Sequence, residues 1–267
     1  MITSTSNPHI KNIRKLSQKK YRRERGRFYV EGLRPITSAL NHAAQVIELI
    51  YCPELLESDF GWELLRHAEQ QNINILEVNR LVFESISLKE GPQGLCALVK
   101  QNIQELGAHT EVQGVWVALE GVQDPGNLGS VLRTLDAVGG NGLLLVGEGT
   151  DATHPTSVRA SMGAIFTIPI FQTSLENFLV WKKDHPLVAL IGAVCEDVQD
   201  YRDYNYERDM LLLMGSEQKG LPPQAQDICT GLVNIPMIGS VDSLNLANAT
   251  SVLLYEIFDQ MHPLRKK

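Results

Sequence analysis

The spacing of apolar residues predicts a first region in which helices and strands are mixed. Short apolar runs, which are typical of strands, occur at residues 28–30, 47–51, 73–78 and 95–99. Helix-like segments lie between them, at residues 35–44 and 53–70. The polar stretch that follows, residues 101–113, has no clear period. Within it we place a linker at residues 105–113, so that residues 1–104 form a small N-terminal α/β domain.

From residue 114 onward the pattern predicts a larger domain in which strands and helices alternate. Apolar runs predict strands at residues 115–119, 143–146, 167–170, 187–191, 210–214 and 232–235. Helical periodicity appears after Asn127, where four apolar residues recur at i, i+3, i+4 and i+7: Leu128, Val131, Leu132 and Leu135. A last helix is expected at residues 243–260. Near-continuous apolar strands are typical of a covered parallel sheet, so residues 114–267 are predicted to form an α/β domain with a mainly parallel sheet.

Composition and cysteine placement narrow the class of protein. Of 267 residues, 43% are hydrophobic and 21% are charged, which is ordinary for a soluble globular chain. No apolar run approaches the length of about 18 residues that spans a bilayer, and the first residues lack the apolar core of a secretory signal. The four cysteines and seven histidines are scattered, without the spacing of a metal site. We therefore expect a cytoplasmic protein with no membrane segment and no bound metal.

The net charge of −7 argues against a nucleic-acid binder, but the charge is unevenly distributed. Residues 1–27 contain one acidic residue, Glu24, and nine basic residues: Lys11, Arg14, Lys15, Lys19, Lys20, Arg22, Arg23, Arg25 and Arg27. This segment carries +8, which leaves −15 for residues 28–267. We therefore predict an acidic body with a basic N-terminal arm that binds RNA phosphates.

Three loops that follow predicted strands are candidates for the functional site, because ligands of open α/β sheets bind beyond the carboxyl ends of the strands. They are residues 120–129, 214–222 and 234–250. In the first, Asn127 could simply cap a helix, and Arg133 lies opposite the leucine face, where it meets solvent or a partner. The second could be an ordinary strand-to-helix turn around two glycines. The sequence alone leaves both interpretations open.

The third loop leads into the final helix. Asp242 or Ser243 could cap that helix, which would place Asn245 in its first turn. Asn245 and Asn248 share a face, which is unusual for a helix that serves only packing. A capped helix over the core remains the alternative.

One motif points elsewhere. Residues 147–152 (GEGTDA) fit the glycine pattern of a dinucleotide-binding loop. His154 and Pro155 follow where a helix should be running, and the acidic residue expected about 20 positions further on is missing. The sequence therefore disfavours a nicotinamide-dependent dehydrogenase.

Taken in order, the three loops resemble the motifs of the SpoU (TrmH) family of RNA ribose 2'-O-methyltransferases, within the SPOUT superfamily. The matching segments are residues 127–134 (NLGSVLRT), 215–221 (GSEQKGL), 235–237 (IPM) and 243–247 (SLNLA). A connecting segment, residues 158–166 (VRASMGAIF), is also similar to the family. Residues 28–32 (FYVEG) and 92–95 (PQGL) resemble the substrate-binding domain that precedes the SpoU domain in many members.

The resemblance implies a fold and a cofactor that cannot be predicted from the apolar pattern. It implies a small α/β substrate-binding domain followed by an α/β trefoil-knot domain, and a homodimer with its sites near the subunit interface. S-adenosylmethionine would bind at the knot. The resemblance implies that Gly215, Ile235 and Leu244 contact it. We add the nearby residues Met237 and Ser243.

The implied reaction is transfer of a methyl group from a sulfonium to a ribose 2'-oxygen, for which no metal is needed. The family assigns the catalytic role to the motif-one arginine, here Arg133, and we expect Asn127, Glu217 and Asn245 to support it. RNA would be held by the nine basic residues of the arm and by Arg159. The separate N-terminal domain favours rRNA over tRNA as substrate. A tRNA methyltransferase, or a non-catalytic RNA-binding protein on the same fold, is the alternative.

Overall fold

The chain forms two compact units. The computed structural model describes residues 1–42 and 44–262, so parts of the predicted helix 35–44 and of the predicted domain 114–267 lie outside the described residues. The first unit comprises Met1–Asn102 together with Asp151–Thr167. The second comprises Ile103–Thr150 and the residues from Ile168 onward. The division predicted at residues 105–113 therefore misses the second segment of the first unit, which comes from the middle of the chain.

The first unit is built on a four-stranded sheet in the order β1-β4-β2-β3. Its strands are β1 (Arg27–Glu31), β2 (Val46–Tyr51), β3 (Asn74–Glu77) and β4 (Leu95–Lys100). Strands β1 and β2 run antiparallel to β4, and β3 runs parallel to β2. Its helices are α1 (Pro8–Arg14), α2 (Lys19–Arg25), α3 (Leu33–Asn41), α4 (Asp59–Gln70), α5 (Arg80–Ile86) and α7 (Pro155–Ala160).

The basic arm is part of this unit's core. Helix α1 starts after Asn7, whose side chain accepts a hydrogen bond from the backbone N–H of His9. Ile10, Ile13 and Leu16 are buried in a cluster with residues of β1, β2, β4 and α5. Because these residues are buried, the arm is a folded layer of the unit rather than an extension from it.

The second unit is an eight-stranded sheet, ordered β10-β12-β9-β11-β6-β7-β8-β5, in which every neighbouring pair is parallel. Its strands are β5 (Ile103–Glu105), β6 (Val115–Glu120), β7 (Gly142–Val146), β8 (Ile170–Thr173), β9 (Ala189–Ala193), β10 (Gln199–Asp200), β11 (Met210–Met214) and β12 (Gly231–Asn234). Its helices are α6 (Pro125–Ala137), α8 (Leu175–Asp184), α9 (Pro223–Gln226) and α10 (Leu246–Met261). The predicted parallel sheet is confirmed.

Several predicted boundaries are wrong for local reasons. The helix predicted over residues 53–70 begins at Asp59, because the N–H groups of Leu55 and Leu56 form a turn on the carbonyl of Cys52. The strand predicted at residues 167–170 lies at Ile170–Thr173, because a 3-10 helix at Ala164–Phe166 precedes it. The polar stretch 101–113 contains β5, which pairs with β8, so only the last residue of this strand, Glu105, falls in the predicted linker.

Candidate active site

The three candidate loops meet at the carboxyl edge of the second unit's sheet. They follow β6, β11 and β12; β11 pairs with β6 and with β9, and β9 pairs with β12. The loops therefore leave the same edge of the sheet within four successive parallel strands, β12-β9-β11-β6, as expected for a ligand site of an α/β sheet.

A chain of side-chain hydrogen bonds joins the three loops. Asn245 donates from Nδ2 to Oδ1 of Asn127 over 2.9 Å. Asn127 donates in turn from Nδ2 to Oε1 of Glu217, also over 2.9 Å. Three of the four residues predicted to carry the chemistry are thus brought together, although they are up to 118 residues apart in the sequence.

The helix caps differ from those predicted, and the difference explains the hydrogen-bond chain. Helix α6 is capped by Asp124, which accepts from the backbone N–H of Asn127 over 2.7 Å. Helix α10 is capped by Asn245, whose Oδ1 accepts from the N–H groups of Ala247 and Asn248. The alternative in which Asn127 caps α6 is therefore wrong, and so is the expectation that Asp242 or Ser243 caps α10. Because Asp124 serves as the cap, the Asn127 amide is available to bridge two loops.

Two cavities adjoin this hydrogen-bond chain. The first cavity, of about 550 Å³, lies between the loops that follow β9, β11 and β12. All five residues predicted to contact the cofactor line it: Gly215, Ile235, Met237, Ser243 and Leu244. The second cavity, of about 1040 Å³, is lined by Glu120, Asn127 and the loop after β6. The two cavities share residues 216–221 and Asn245 as a common wall.

Gly215 is required by the close approach of two backbone segments. A Cβ atom at this position would lie 2.2 Å from the carbonyl carbon of Gly220 and 2.3 Å from the nitrogen of Leu221. No side chain fits there unless the loop that forms the shared wall moves. The sequence signal was the pair of glycines that bracket this loop.

We predict that Gly215→Ala lowers the affinity for the cofactor, because the added methyl displaces residues 220 and 221 in the wall of the first cavity. A fall of at least about tenfold in affinity, near 1.4 kcal/mol, is expected by calorimetric titration with S-adenosylmethionine. Gly239→Ala is the matched control: it lies in a neighbouring loop, and a Cβ there would meet no atom within 4 Å. Equal affinities for the two variants would contradict this account.

Arg133 lies apart from the other predicted residues. It is exposed on α6, lines neither cavity, and has no hydrogen-bond or ion-pair partner among the described residues. The leucine-rich face of the same helix is fully buried, as predicted. The structure therefore brings together Asn127, Glu217 and Asn245 but not Arg133.

Glu120 was not given a role in the sequence analysis, although it stands at the end of a predicted strand. It is the last residue of β6, is half-buried, and lines the second cavity. Burial raises the pKa of its carboxyl group above the ordinary value, and the nearby Lys219 ammonium partly opposes that rise. The available signal was an acidic residue at the carboxyl end of an otherwise apolar strand.

The basic residues predicted to bind RNA fall into different environments. Lys11, Lys15 and Arg23 are exposed, as is Arg159 on α7. Three others interact with nearby groups of the protein. Lys20 Nζ lies 3.8 Å from Glu24 Oε1, Arg14 donates to the carbonyl of Thr5, and Arg25 donates to the side chain of Asn12. A further one, Arg22, is buried.

Arg22 corrects the prediction for the arm. Its side chain is 1% exposed and pairs with Asp151 at 2.6 Å. It also donates to the carbonyls of Leu16 and Ser17 at 2.8 Å each. A guanidinium buried in this way cannot reach an RNA phosphate, so Arg22 holds the first unit together instead.

None of the described helices is long and apolar enough to cross a membrane. Within the described ranges, no three His, Cys, Asp or Glu side chains are grouped so that they could hold a metal ion.

Two family models match the chain. Residues 114–255 match the SpoU rRNA Methylase family, and residues 7–97 match the MRM3-like substrate binding domain. The second match includes all nine basic residues of the arm and most of the sheet of the first unit.

Several relatives are similar over nearly the whole chain. A Streptomyces viridochromogenes protein named 23S rRNA (uridine(2479)-2'-O)-methyltransferase is 32% identical over 92% of this chain and 87% of its own length. The AdoMet-bound rRNA methyltransferase from Sinorhizobium meliloti is 36% identical, with a TM-score of 0.87 and 98% of each chain covered. The AdoMet complex of the SpoU methyltransferase AviRb from S. viridochromogenes is 28% identical, with a TM-score of 0.85 over 97% of this chain and 100% of its own.

These likenesses confirm the predicted fold class, a small N-terminal α/β domain followed by an α/β SPOUT domain with a parallel sheet. Three findings point to the same family: the motif match, the family model over more than half of the chain, and the similarity to a relative over 92% of it. The chain therefore belongs to the SpoU rRNA methylase family.

Proposed function

We propose that this chain transfers the methyl group of S-adenosylmethionine to a ribose 2'-hydroxyl of ribosomal RNA. As a SpoU methylase it is an RNA ribose 2'-O-methyltransferase that uses S-adenosylmethionine. The observation that carries the site assignment is the hydrogen-bond chain from Asn245 through Asn127 to Glu217, which runs between the two cavities.

The first cavity suits the cofactor. Its volume of about 550 Å³ lies within the range of small-molecule sites, and it combines apolar walls with loop backbone and polar side chains. We propose that Gly215, Ile235, Met237, Ser243 and Leu244 hold the cofactor there. Bound in this cavity, S-adenosylmethionine would supply a methyl group already activated on a sulfonium sulfur.

We propose that the target nucleotide enters the second cavity, because that cavity shares the 216–221 wall and Asn245 with the first. The Asn127 amide holds Glu217 and Asn245 in fixed positions on that wall. Fixed groups can position the hydroxyl toward the methyl group, and positioning can supply several kcal/mol of the barrier reduction.

We propose that Arg133 binds the target phosphate and stabilises the alkoxide that develops at the 2'-oxygen. A guanidinium stays protonated in proteins, so it serves as a donor and a positive charge rather than as a base. Its exposed position, without a partner among the described residues, leaves its donors available to RNA.

We propose that the chain forms a homodimer with its active sites near the subunit interface. Six large apolar side chains of the loop after β12 and of α10 are exposed: Met237, Ile238, Val241, Leu244, Tyr255 and Phe258. Exposed apolar patches of this kind mark interaction surfaces. A dimer with its sites near the subunit interface would account for Arg133 lying outside both cavities of its own chain. We also propose a cytoplasmic location, where ribosomal RNA is available.

Ribosomal RNA is favoured as the substrate by two observations. Residues 7–97 match the MRM3-like substrate binding domain, which supports a second RNA-contacting surface besides the methylase site. The relatives from S. viridochromogenes and S. meliloti are named as rRNA methyltransferases.

The test is a map of 2'-O-methyl groups in total RNA from a strain that lacks this chain. The expected result is that one rRNA nucleotide loses its methyl group and regains it when the intact chain is supplied. Loss of a tRNA methyl group instead would overturn the rRNA assignment. If every site stays methylated, a non-catalytic RNA-binding role is favoured.

The exposed cations of the arm should contribute to RNA affinity through phosphate contacts. Neutralising Lys11, Lys15 and Arg23 to Gln should lower RNA affinity and reduce the salt slope of binding by roughly 0.7–0.9 per residue removed. Cofactor affinity should stay unchanged. The control neutralises Lys183 and Arg208, which are exposed in the second unit. Binding isotherms at several salt concentrations check this, and a similar loss in the control would contradict it.

A further inference from the structure

Glu120 occupies a distinctive position in the second cavity. It ends β6, which lies between β11 and β7 in the sheet, and its half-buried side chain faces the same space as Asn127, Glu217 and Asn245. Its carboxylate accepts no hydrogen bond from any described residue. The cavity therefore contains a partly desolvated carboxylate whose lone pairs are free.

The other carboxylates that line this cavity do not share these properties. Glu217 accepts from the Asn127 amide. Asp124 caps α6 and accepts from a backbone N–H. Glu148 is exposed to solvent. Of the acids in this cavity, Glu120 alone is both half-buried and without a hydrogen-bond donor in the part of the chain that the structure describes.

We infer that the Glu120 carboxylate accepts the proton of the ribose 2'-hydroxyl during methyl transfer. This inference rests on the proposed function and supplies what Arg133 cannot, because a guanidinium has no lone pair to offer. In the step, the O–H bond breaks and its proton moves to a Glu120 carboxylate oxygen. The 2'-oxygen uses the freed electron pair to bond the methyl carbon, and the S–C pair stays on sulfur, leaving a neutral thioether. Glu120 afterwards releases the proton to water.

The electrostatic setting of Glu120 suits this role. Burial raises its pKa, which makes its carboxylate a stronger base than an exposed glutamate. The nearby Lys219 ammonium favours the ionised carboxylate and so opposes part of this rise in pKa. The charged groups that face it in the cavity are Lys219, Glu148, Asp124 and Glu217. Since the charged form is the active one, methyl transfer should fall as the pH drops through the raised pKa.

The experiment compares the intact chain with Glu120→Gln, using radiolabelled S-adenosylmethionine and the RNA identified by the methyl map. A lost general base lowers kcat by about 10²–10⁴-fold, while the affinities for cofactor and RNA should change less than about threefold. The acidic limb of the kcat–pH profile should be present in the intact chain and absent from the residual activity of the variant. Glu120→Asp should recover part of the rate. Glu176→Gln, exposed on α8 and outside both cavities, is the matched control.

Two outcomes would overturn the inference while the proposed function stands. In one, Glu120→Gln keeps kcat within about threefold of the intact chain. In the other, kcat falls but the variant retains the same acidic limb, which indicates a structural role and a base elsewhere. If the intact chain methylates no RNA at all, the proposed function fails, and the inference fails with it.

Discussion

Arg133→Ala is expected to lower kcat for RNA methylation by about 10²–10³-fold, the usual cost of removing one donor that stabilises a developing oxyanion. Arg133 is exposed and has no partner among the described residues, so its removal should leave folding intact. It lines neither cavity, so affinity for S-adenosylmethionine should stay within a few-fold. Single-turnover methylation and calorimetric titration measure the two quantities separately.

The matched control is Arg208→Ala, which removes another exposed arginine of the second unit. It should leave kcat unchanged. A large loss of cofactor affinity in Arg133→Ala would count against its proposed role at the ribose, because it would place Arg133 in the cofactor site.

Arg22→Ala is expected to destabilise the first unit by about 3–5 kcal/mol, the typical effect of removing one partner of a buried ion pair. The substitution leaves the Asp151 carboxylate, only 15% exposed, without its guanidinium. It also leaves the carbonyls of Leu16 and Ser17 without their donor. In urea unfolding followed by circular dichroism, the first unit of the variant should unfold at a lower urea concentration than that of the intact chain.

Arg23→Ala provides the comparison, since Arg23 is the next residue on α2 but is exposed. Its effect on stability should be within about 0.5 kcal/mol, as for most surface substitutions. If the two variants unfold at the same urea concentration, Arg22 does not hold the unit together. The same reasoning argues against deleting residues 1–27 to test RNA binding, because the deletion would remove part of the core.

The central strands were predictable because a parallel sheet buries both faces of each strand. The run Met210–Met214 is apolar and buried throughout, and its predicted bounds match the structure. The buried face of α6, formed by its leucines and Val131, was likewise predictable because these residues recur with the helical period of 3.6 residues. Helices α1 and α2 were missed because their few apolar residues stand among many charges, and burial of Ile10 and Ile13 depends on a sheet distant in the sequence.

The site was predictable to the level of loops and motif residues, but not to the level of contacts. The placement of Asn127 next to Glu217 and Asn245 depends on which strands are neighbours, and periodicity does not encode that order. The periodicity also does not show that Asp124 caps α6 by accepting from the backbone N–H of Asn127. This cap leaves the side-chain amide of Asn127 available to bridge two loops. Arg22 was misassigned because a buried arginine and an exposed one look identical in a basic sequence.

The ion pair between Arg22 and Asp151 joins residues that are 129 positions apart. On a translating ribosome that moves at roughly 5–20 residues per second, Arg22 is synthesised roughly 6 to 26 s before its partner Asp151. During that interval the first unit lacks residues 151–167, and its buried guanidinium has no counter-ion. The N-terminal unit therefore completes its folding only after the first three of the eight strands of the second unit's sheet, β5, β6 and β7, have been made. Synthesis order and folding order differ in this chain, and a nascent-chain truncation at residue 150 should expose the unfinished unit to proteases.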